Sequence, residues 1–147
     1  MMILGQVLNT FSAPVDFKGS VRPIKDKLIC LEGYGIEGDK FALKDLSKTV
    51  MIVGINAYDL ASSNGIDLPY GSLGENIIVN FDPHALDLGT QLKIGEAIFE
   101  LTQKCTVCTH LSVHDKKLPN IVKNDRGVYC KIIQSGSVAS GLEVSKL

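Results

Sequence analysis

The side chains best suited to chemistry lie in one short run, Cys105-Thr106-Val107-Cys108-Thr109-His110, with His114 four positions further on. Two thiols separated by two residues can chelate a soft metal, close a reversible disulfide, or pair one reactive thiolate with a resolving partner. Zinc fingers usually place a longer spacer between the Cys pair and the His pair. A thioredoxin-like pair belongs in a βαβ setting, whereas the residues around this pair have strand character. The plainest alternative is two buried cysteines that pack as small hydrophobes. Spacing alone leaves these readings open.

Three further clusters have the composition of anion-binding turns. Gly33, Gly35, Ile36, Glu37, Gly38, Asp39 and Lys40 bring three glycines together within six positions. Such a loop reaches backbone conformations closed to other residues and can aim N–H groups at an anion, although a tight turn between strands is the commoner use. It lacks the spacing of a P-loop and the strand–glycine–helix unit of a dinucleotide site. The second cluster, Tyr70-Gly71-Ser72-Leu73-Gly74-Glu75-Asn76, runs directly into the apolar segment Ile77 to Val79. Ser72, Asn76 and the loop amides can donate to a phosphate, and Glu75 can orient a neighbour or take a proton. In the third, Asn124-Asp125-Arg126-Gly127, Arg126 offers a forked cationic donor, or else a surface ion pair with an acid such as Asp125. Cys30 and Cys130 fall in apolar segments and read as core residues.

These groups need a scaffold. Short runs rich in Val, Ile or Thr, bounded by Gly, Asp, Asn or Pro, recur at Met2 to Leu8, Lys27 to Leu31, Thr49 to Val53, Asn76 to Phe81, Gln91 to Ile94, Ala97 to Thr102 and Val128 to Ile133. Their lengths and borders predict strands. Two stretches predict helices: Asn56 to Ser63, stopped by Asn64-Gly65, and Pro119 to Asn124, with proline in the first turn. The fold class is therefore mainly β, a closed or partly open barrel with a few short helices, since closure hides strand edges; periodicity alone does not separate a barrel from a sandwich. No repeat, linker or composition shift divides the sequence, and residues 1–147 are expected to form one domain.

Composition excludes other classes. Fifteen basic against sixteen acidic residues give a formal charge of -1, which leaves no global field to attract nucleic acid. Apolar residues make up 45% of the chain, enough for an ordinary packed interior. No run approaches the roughly 20 apolar residues that span a bilayer, and the first residues do not read as a signal peptide. A cytoplasmic protein with reduced thiols and no membrane partner is expected.

Taken in order, the motifs resemble the MOSC family (molybdenum cofactor sulfurase C-terminal domain). The resemblance rests on Ser20-x-Arg22-Pro23, Gly35-Ile36-Glu37-Gly38-Asp39-Lys40, Gly71-Ser72-Leu73-Gly74-Glu75-Asn76-Ile77, and Leu101-Thr102-Gln103 before Cys108. The tail Arg126-Gly127-Val128-Tyr129, Gly136-Ser137-Val138 and Gly141-Leu142-Glu143-Val144 is similar to the family's closing strands. The resemblance implies a β-barrel and a role with the molybdenum cofactor (molybdopterin), in which the family's single Cys, here Cys108, carries sulfur or contacts molybdenum. It further implies a pocket for a small anionic ligand built from Arg22, Gly35, Gly38, Asp39, Ser72, Asn76 and Arg126. Where the family often has Pro immediately before its Cys and Arg three residues before it, this chain has Val107 and Cys105. Cys105 replaces a positive charge and becomes a possible resolving thiol for Cys108.

The resulting expectation is a stand-alone sulfur carrier or cofactor-binding domain for molybdoenzyme maturation, with a separate cysteine desulfurase or a molybdoenzyme as partner. A molybdenum-dependent reductase component acting on N-hydroxylated compounds is the second reading. A binding module that has kept the barrel without the chemistry is the third.

Overall fold

The computed structural model describes residues 1–106 and 109–147. Strands β1 (Met2–Thr10), β2 (Lys27–Leu31), β3 (Gly35–Ile36), β4 (Val50–Gly54), β5 (Ile77–Val79), β6 (Gln91–Ile94), β7 (Ala97–Lys104), β8 (Val128–Gln134), β9 (Gly136–Ala139) and β10 (Glu143–Lys146) are joined by helices α1 (Ile55–Ser63) and α2 (Leu118–Ile121) and short 3-10 turns. Seven strands close a barrel in the order β1-β10-β6-β7-β8-β4-β5. Its pairs are antiparallel except β4 with β5, and a small sheet β3-β2-β9 stands beside it. No helix among the described residues is long and apolar enough to cross a membrane.

Closure depends on β1. Its first half pairs with β10 and its second half with β5, with register shifts between Ile3 and Gly5 and between Val7 and Asn9. Bulges of this kind bend a strand and increase its twist, which lets one nine-residue segment serve both sides of the seam.

The burial pattern follows the strand period of two. Along β4, Val50 and Ile52 enter the barrel core with Phe99, Leu101 and Ile77, while Met51 and Val53 join a second apolar layer. That layer contains Ala57, Tyr58 and Ala61 of α1, Leu118 and Val122 around α2, and Phe11, Leu73 and Leu111. β4 is thus buried on both faces, which explains its unbroken apolar run. Cys30 and Cys130 lie in the barrel core, where burial pushes the Cys30 thiol up to about 12 and the Cys130 thiol higher still. Both are unreactive at neutral pH.

The seven expected strands and two expected helices are present, Lys27–Leu31 and Gln91–Ile94 with the expected ends and the others with shifted ones. The run expected from Asn76 to Phe81 pairs only over Ile77–Val79, because Asn76 turns its side chain to neighbouring backbone and Phe81 leads into a 3-10 turn at Pro83–Ala85. The second helix is Leu118–Ile121, with Val122 as its C-cap. The first glycine cluster is a hairpin: β3 pairs with β2 through Cys30 with Ile36 and Leu31 with Gly35. Two residues are too few for a period to show.

One glycine fixes how β8 begins. Gly127 has φ of 123°, and a Cβ there would stand 2.9 Å from Val53 Cγ2 and 3.1 Å from Met51 Cγ and Sδ. Its N–H donates to His84 Nε2 at 3.0 Å, and its carbonyl accepts from Cys105 N at 2.9 Å. Backbone strain and overpacking therefore act together, and Gly127→Ala is expected to lose about 2–4 kcal/mol of stability in urea unfolding. A loss below about 0.5 kcal/mol, the size of an ordinary surface change, would contradict this placement.

Candidate functional site

One open cavity of about 350 Å³ lies beside the Gly71 turn, outside the barrel. Its walls come from four parts of the chain: Ala13 and Phe17 to Ser20 with Arg22, then Lys40 and Phe41, then Gly71, Ser72 and Gly74, and finally His110, Val113 and His114. Two lysines, an arginine and two histidines line it, with no carboxylate among them. In a chain of net charge -1 this is a local concentration of positive charge, and low-dielectric walls strengthen its pull on an anion.

The walls are held by polar groups turned away from the cavity. Asp39 is buried and accepts from Ser12 Oγ (3.0 Å), Ala13 N (2.9 Å) and Phe41 N (3.0 Å). This carboxylate ties the segment at 12–13 to the segment at 39–41 and so presents Lys40 and Phe41 to the opening. Lys40 Nζ donates to Phe17 O at 2.7 Å and also stands over the Phe41 ring. The Arg22 guanidinium lies 5.1 Å from the centre of the same ring. Burial pulls the Arg22 pKa down, with the charges of Asp39 and Glu75 opposing the shift. Gly71 makes the approach of Arg22 possible: its φ is 97°, a Cβ there would come within 2.5 Å of Arg22 O, and Arg22 N donates to Gly71 O at 2.9 Å.

Beneath the Gly71 turn is a buried carboxyl group. Glu75 is fully buried; its Oε2 accepts from Tyr58 Oη, and its Oε1 accepts from Leu73 N at 3.1 Å. Tyr58 Oη in turn accepts from Gly71 N at 3.1 Å. Desolvation pushes the Glu75 pKa up, against the hydrogen bonds from Tyr58 and Leu73 and the positive charge of Arg126. Burial and the Glu75 charge push Tyr58 up as well. Arg126 is also buried, donating from Nη1 to Leu73 O and contacting His110 Nε2 from Nη2 at 2.9 Å. Its Nε has no partner among the described residues. The His110 pKa is lowered by burial first and by Arg126, His114 and Arg22 after that.

The structure gathers some of the expected site residues and separates others. Arg22 and Ser72 line the cavity. Ser72 Oγ also donates to Pro69 O at 2.5 Å. Asp39 and Arg126 stand behind its walls. Asn76 is committed to backbone, with Oδ1 accepting from Met51 N at 3.0 Å and Nδ2 donating to Phe11 O at 3.2 Å. Gly35 belongs to β3, and neither it nor Gly38 lines the cavity. Cys105 is buried, with Sγ donating to Tyr129 Oη at 3.6 Å. Burial and this thiol raise the Tyr129 pKa to about 12. Cys108, the expected sulfur-reactive residue, lies outside the described residues. Among the described residues no group of three or more His, Cys, Asp or Glu could hold a metal ion.

Sequence reasoning did not assign Phe17, Lys18 or Phe41 to the site. The run Phe17-Lys18-Gly19-Ser20 just ahead of Arg22 pairs an aromatic and a cation with a glycine, which is the available signal, but a single sequence gives no reason to prefer it to other surface turns.

The raised pKa of Glu75 has a consequence for stability. The folded state holds this proton more tightly than the unfolded chain, whose value is near 4.5. The stability linked to Glu75 is fully present below that value and is lost as pH rises through the folded pKa. Glu75→Gln removes this loss, so the unfolding free energy of the variant relative to the native chain is expected to rise between acid and neutral pH. Urea titrations over that range check it, and a pH-independent difference would show that Glu75 ionises as it does in the unfolded chain.

The MOSC domain model matches residues 39–145. Among solved structures, YuaD from Bacillus subtilis superposes with a TM-score of 0.78 at 21% identity, over 95% of this chain and 93% of that one. YiiM from Escherichia coli gives 0.70 at 16% identity over 97% and 69%, and YiiM from Geobacillus stearothermophilus gives 0.69 at 14% over 99% and 74%. No curated protein matches the sequence. At these identities the structural likeness establishes the barrel fold, and the match across residues 39–145 places the chain in the MOSC domain family.

Proposed function

We propose that this MOSC domain binds the molybdenum cofactor by its anionic end in the basic cavity and carries sulfur on Cys108 for delivery to a molybdoenzyme. The observation that supports the reading best is the lining itself: Arg22, Lys18 and Lys40 converge on one opening that contains no acid. The donor set suits a phosphate, with the Arg22 guanidinium as a fork and the two lysines as point charges. Phe17 and Phe41 add apolar surface to the lining, and the volume is at the lower end of the ~300–1,000 Å³ typical of small-molecule sites.

When bound, the cofactor supplies a soft metal centre able to exchange oxygen and sulfur ligands. The chain's own residues neutralise the anionic end and exclude water from one side of it. In sulfur transfer, the Cys108 thiolate attacks the outer sulfur of a persulfide on a separate desulfurase. A sulfur–sulfur bond forms at Cys108 as the donor's bond breaks, and the donor leaves as a thiolate, with no net oxidation or reduction. The persulfide on Cys108 then stands two positions in sequence from His110, a residue of the cavity wall.

Incubated with a persulfide donor and analysed by mass spectrometry, the native protein is expected to gain one sulfur atom on Cys108, and Cys108→Ser is expected to gain none. Equal labelling of the two would overturn the assignment. Inorganic phosphate binding is expected to weaken about tenfold in Arg22→Met, the loss of one charge-assisted hydrogen-bond donor. Unchanged phosphate affinity would remove the cavity as the anion site.

A further inference from the structure

We infer that His110 is a ligand-binding residue of the cavity, fixed by Arg126 as a neutral imidazole with its proton on Nδ1, so that it donates a hydrogen bond to the anionic group the cavity takes. The inference deepens the anion-site reading above and rests on it.

The argument begins with what an arginine can do. A guanidinium has N–H donors and no acceptor. Arg126 Nη2 lies 2.9 Å from His110 Nε2, so Nε2 must present its lone pair, and the ring proton must then be on Nδ1. A doubly protonated ring would set an N–H against an N–H at this distance. Free imidazole side chains have no such constraint; here the tautomer is imposed from behind by a buried cation.

Arg126 cannot easily turn away. It is 2% exposed, and Nη1 is held by Leu73 O. The residues on either side are pinned as well: Asp125 Oδ1 accepts from Asn56 Nδ2 at 3.0 Å, and Gly127 N donates to His84 Nε2. Leu73 itself is fixed through its N–H to Glu75. Nη2 also lies 3.5 Å from where a Cβ on Gly74 would be, which sets it directly behind the cavity floor. The ring of His110, by contrast, is on the cavity wall and exposed. Nδ1 has no hydrogen-bond partner among the described residues. His110 therefore extends the charge of Arg126 into the opening without placing the guanidinium in it, and it adds a directional donor from a segment remote in sequence from Arg22 and Lys40.

A donor at this point selects ligands that present an acceptor, such as a phosphate or another oxyanion, and disfavours a group that needs to donate. It also assigns Arg126 a positioning role, acting through His110 and not by touching the ligand.

Long-range proton–nitrogen correlation NMR of the imidazoles tests both parts. In the native protein His110 is expected as the Nδ1–H tautomer, and Arg126→Gln is expected to release it to a mixture of tautomers. Added inorganic phosphate is expected to shift the His110 Nδ1 and Arg22 guanidinium signals together. His110→Gln, whose amide can accept from Arg126 and still donate, should keep phosphate affinity within about threefold of native, whereas His110→Ala should lose about tenfold. An Nε2–H tautomer in the native protein overturns the inference even if Arg126→Gln does not fold. A phosphate shift at Arg22 with none at His110 also overturns it, while leaving the anion site in place. If phosphate moves neither signal, the anion-site reading fails and this inference with it.

Discussion

The cavity depends on a carboxyl group that never reaches it. Burying an ionisable side chain is costly unless its hydrogen bonds are met, and Glu75 meets them with Tyr58 of α1 and the amide of Leu73. These bonds clamp the turn that forms the cavity floor, and Tyr58 also takes the Gly71 N–H. Arg126 approaches the same turn through Leu73 O and lowers the cost of any charge on Glu75. A half-satisfied network would be worse than an apolar core, so the turn, the helix and the start of β8 are coupled: moving one strands polar groups on the others.

That coupling separates two kinds of charged residue. Asp39, Glu75 and Arg126 are buried and spend their hydrogen bonds on the protein. Lys18, Arg22 and Lys40 face the opening. The acids are therefore used as internal braces behind the walls, which is how a chain with a slight excess of acid can present a lining without any. Net charge argues against a nucleic-acid surface but could not reveal this segregation, since it depends on which side of each turn a residue faces.

Much of the barrel was legible because its strands carry local signals. β4 shows an unbroken apolar run, β7 and β8 alternate, and turns carry glycine or asparagine. β3, β9 and β10 escaped the periodic signal, being two, four and four residues long, the first two set in a small side sheet. Around the cavity, residue type pointed to the Gly71 turn but not to the role of each member. Ser-Leu-Gly-Glu-Asn looks like a row of ligand donors, yet Asn76 holds Met51 and Phe11 together and Glu75 braces the turn from within. The same polar atoms serve a ligand or a neighbouring backbone equally well, and only the fold decides which is within reach.

Cys105, where the resemblance implies an arginine, acquires a physical meaning in this setting. Cys105 is buried against Tyr129, in the second apolar layer with Met51 and Leu111. A guanidinium there would need acceptors that an aliphatic layer does not supply, and Arg126 already places one buried cation in the adjoining turn. In the proposed anion site, positive charge comes instead from two segments remote in sequence from Cys105, one with Lys18 and Arg22 and one with Lys40, with Arg126 acting from behind. The electrostatic requirement of the proposed anion site is met by loops around the barrel, and Cys105 packs in the second apolar layer.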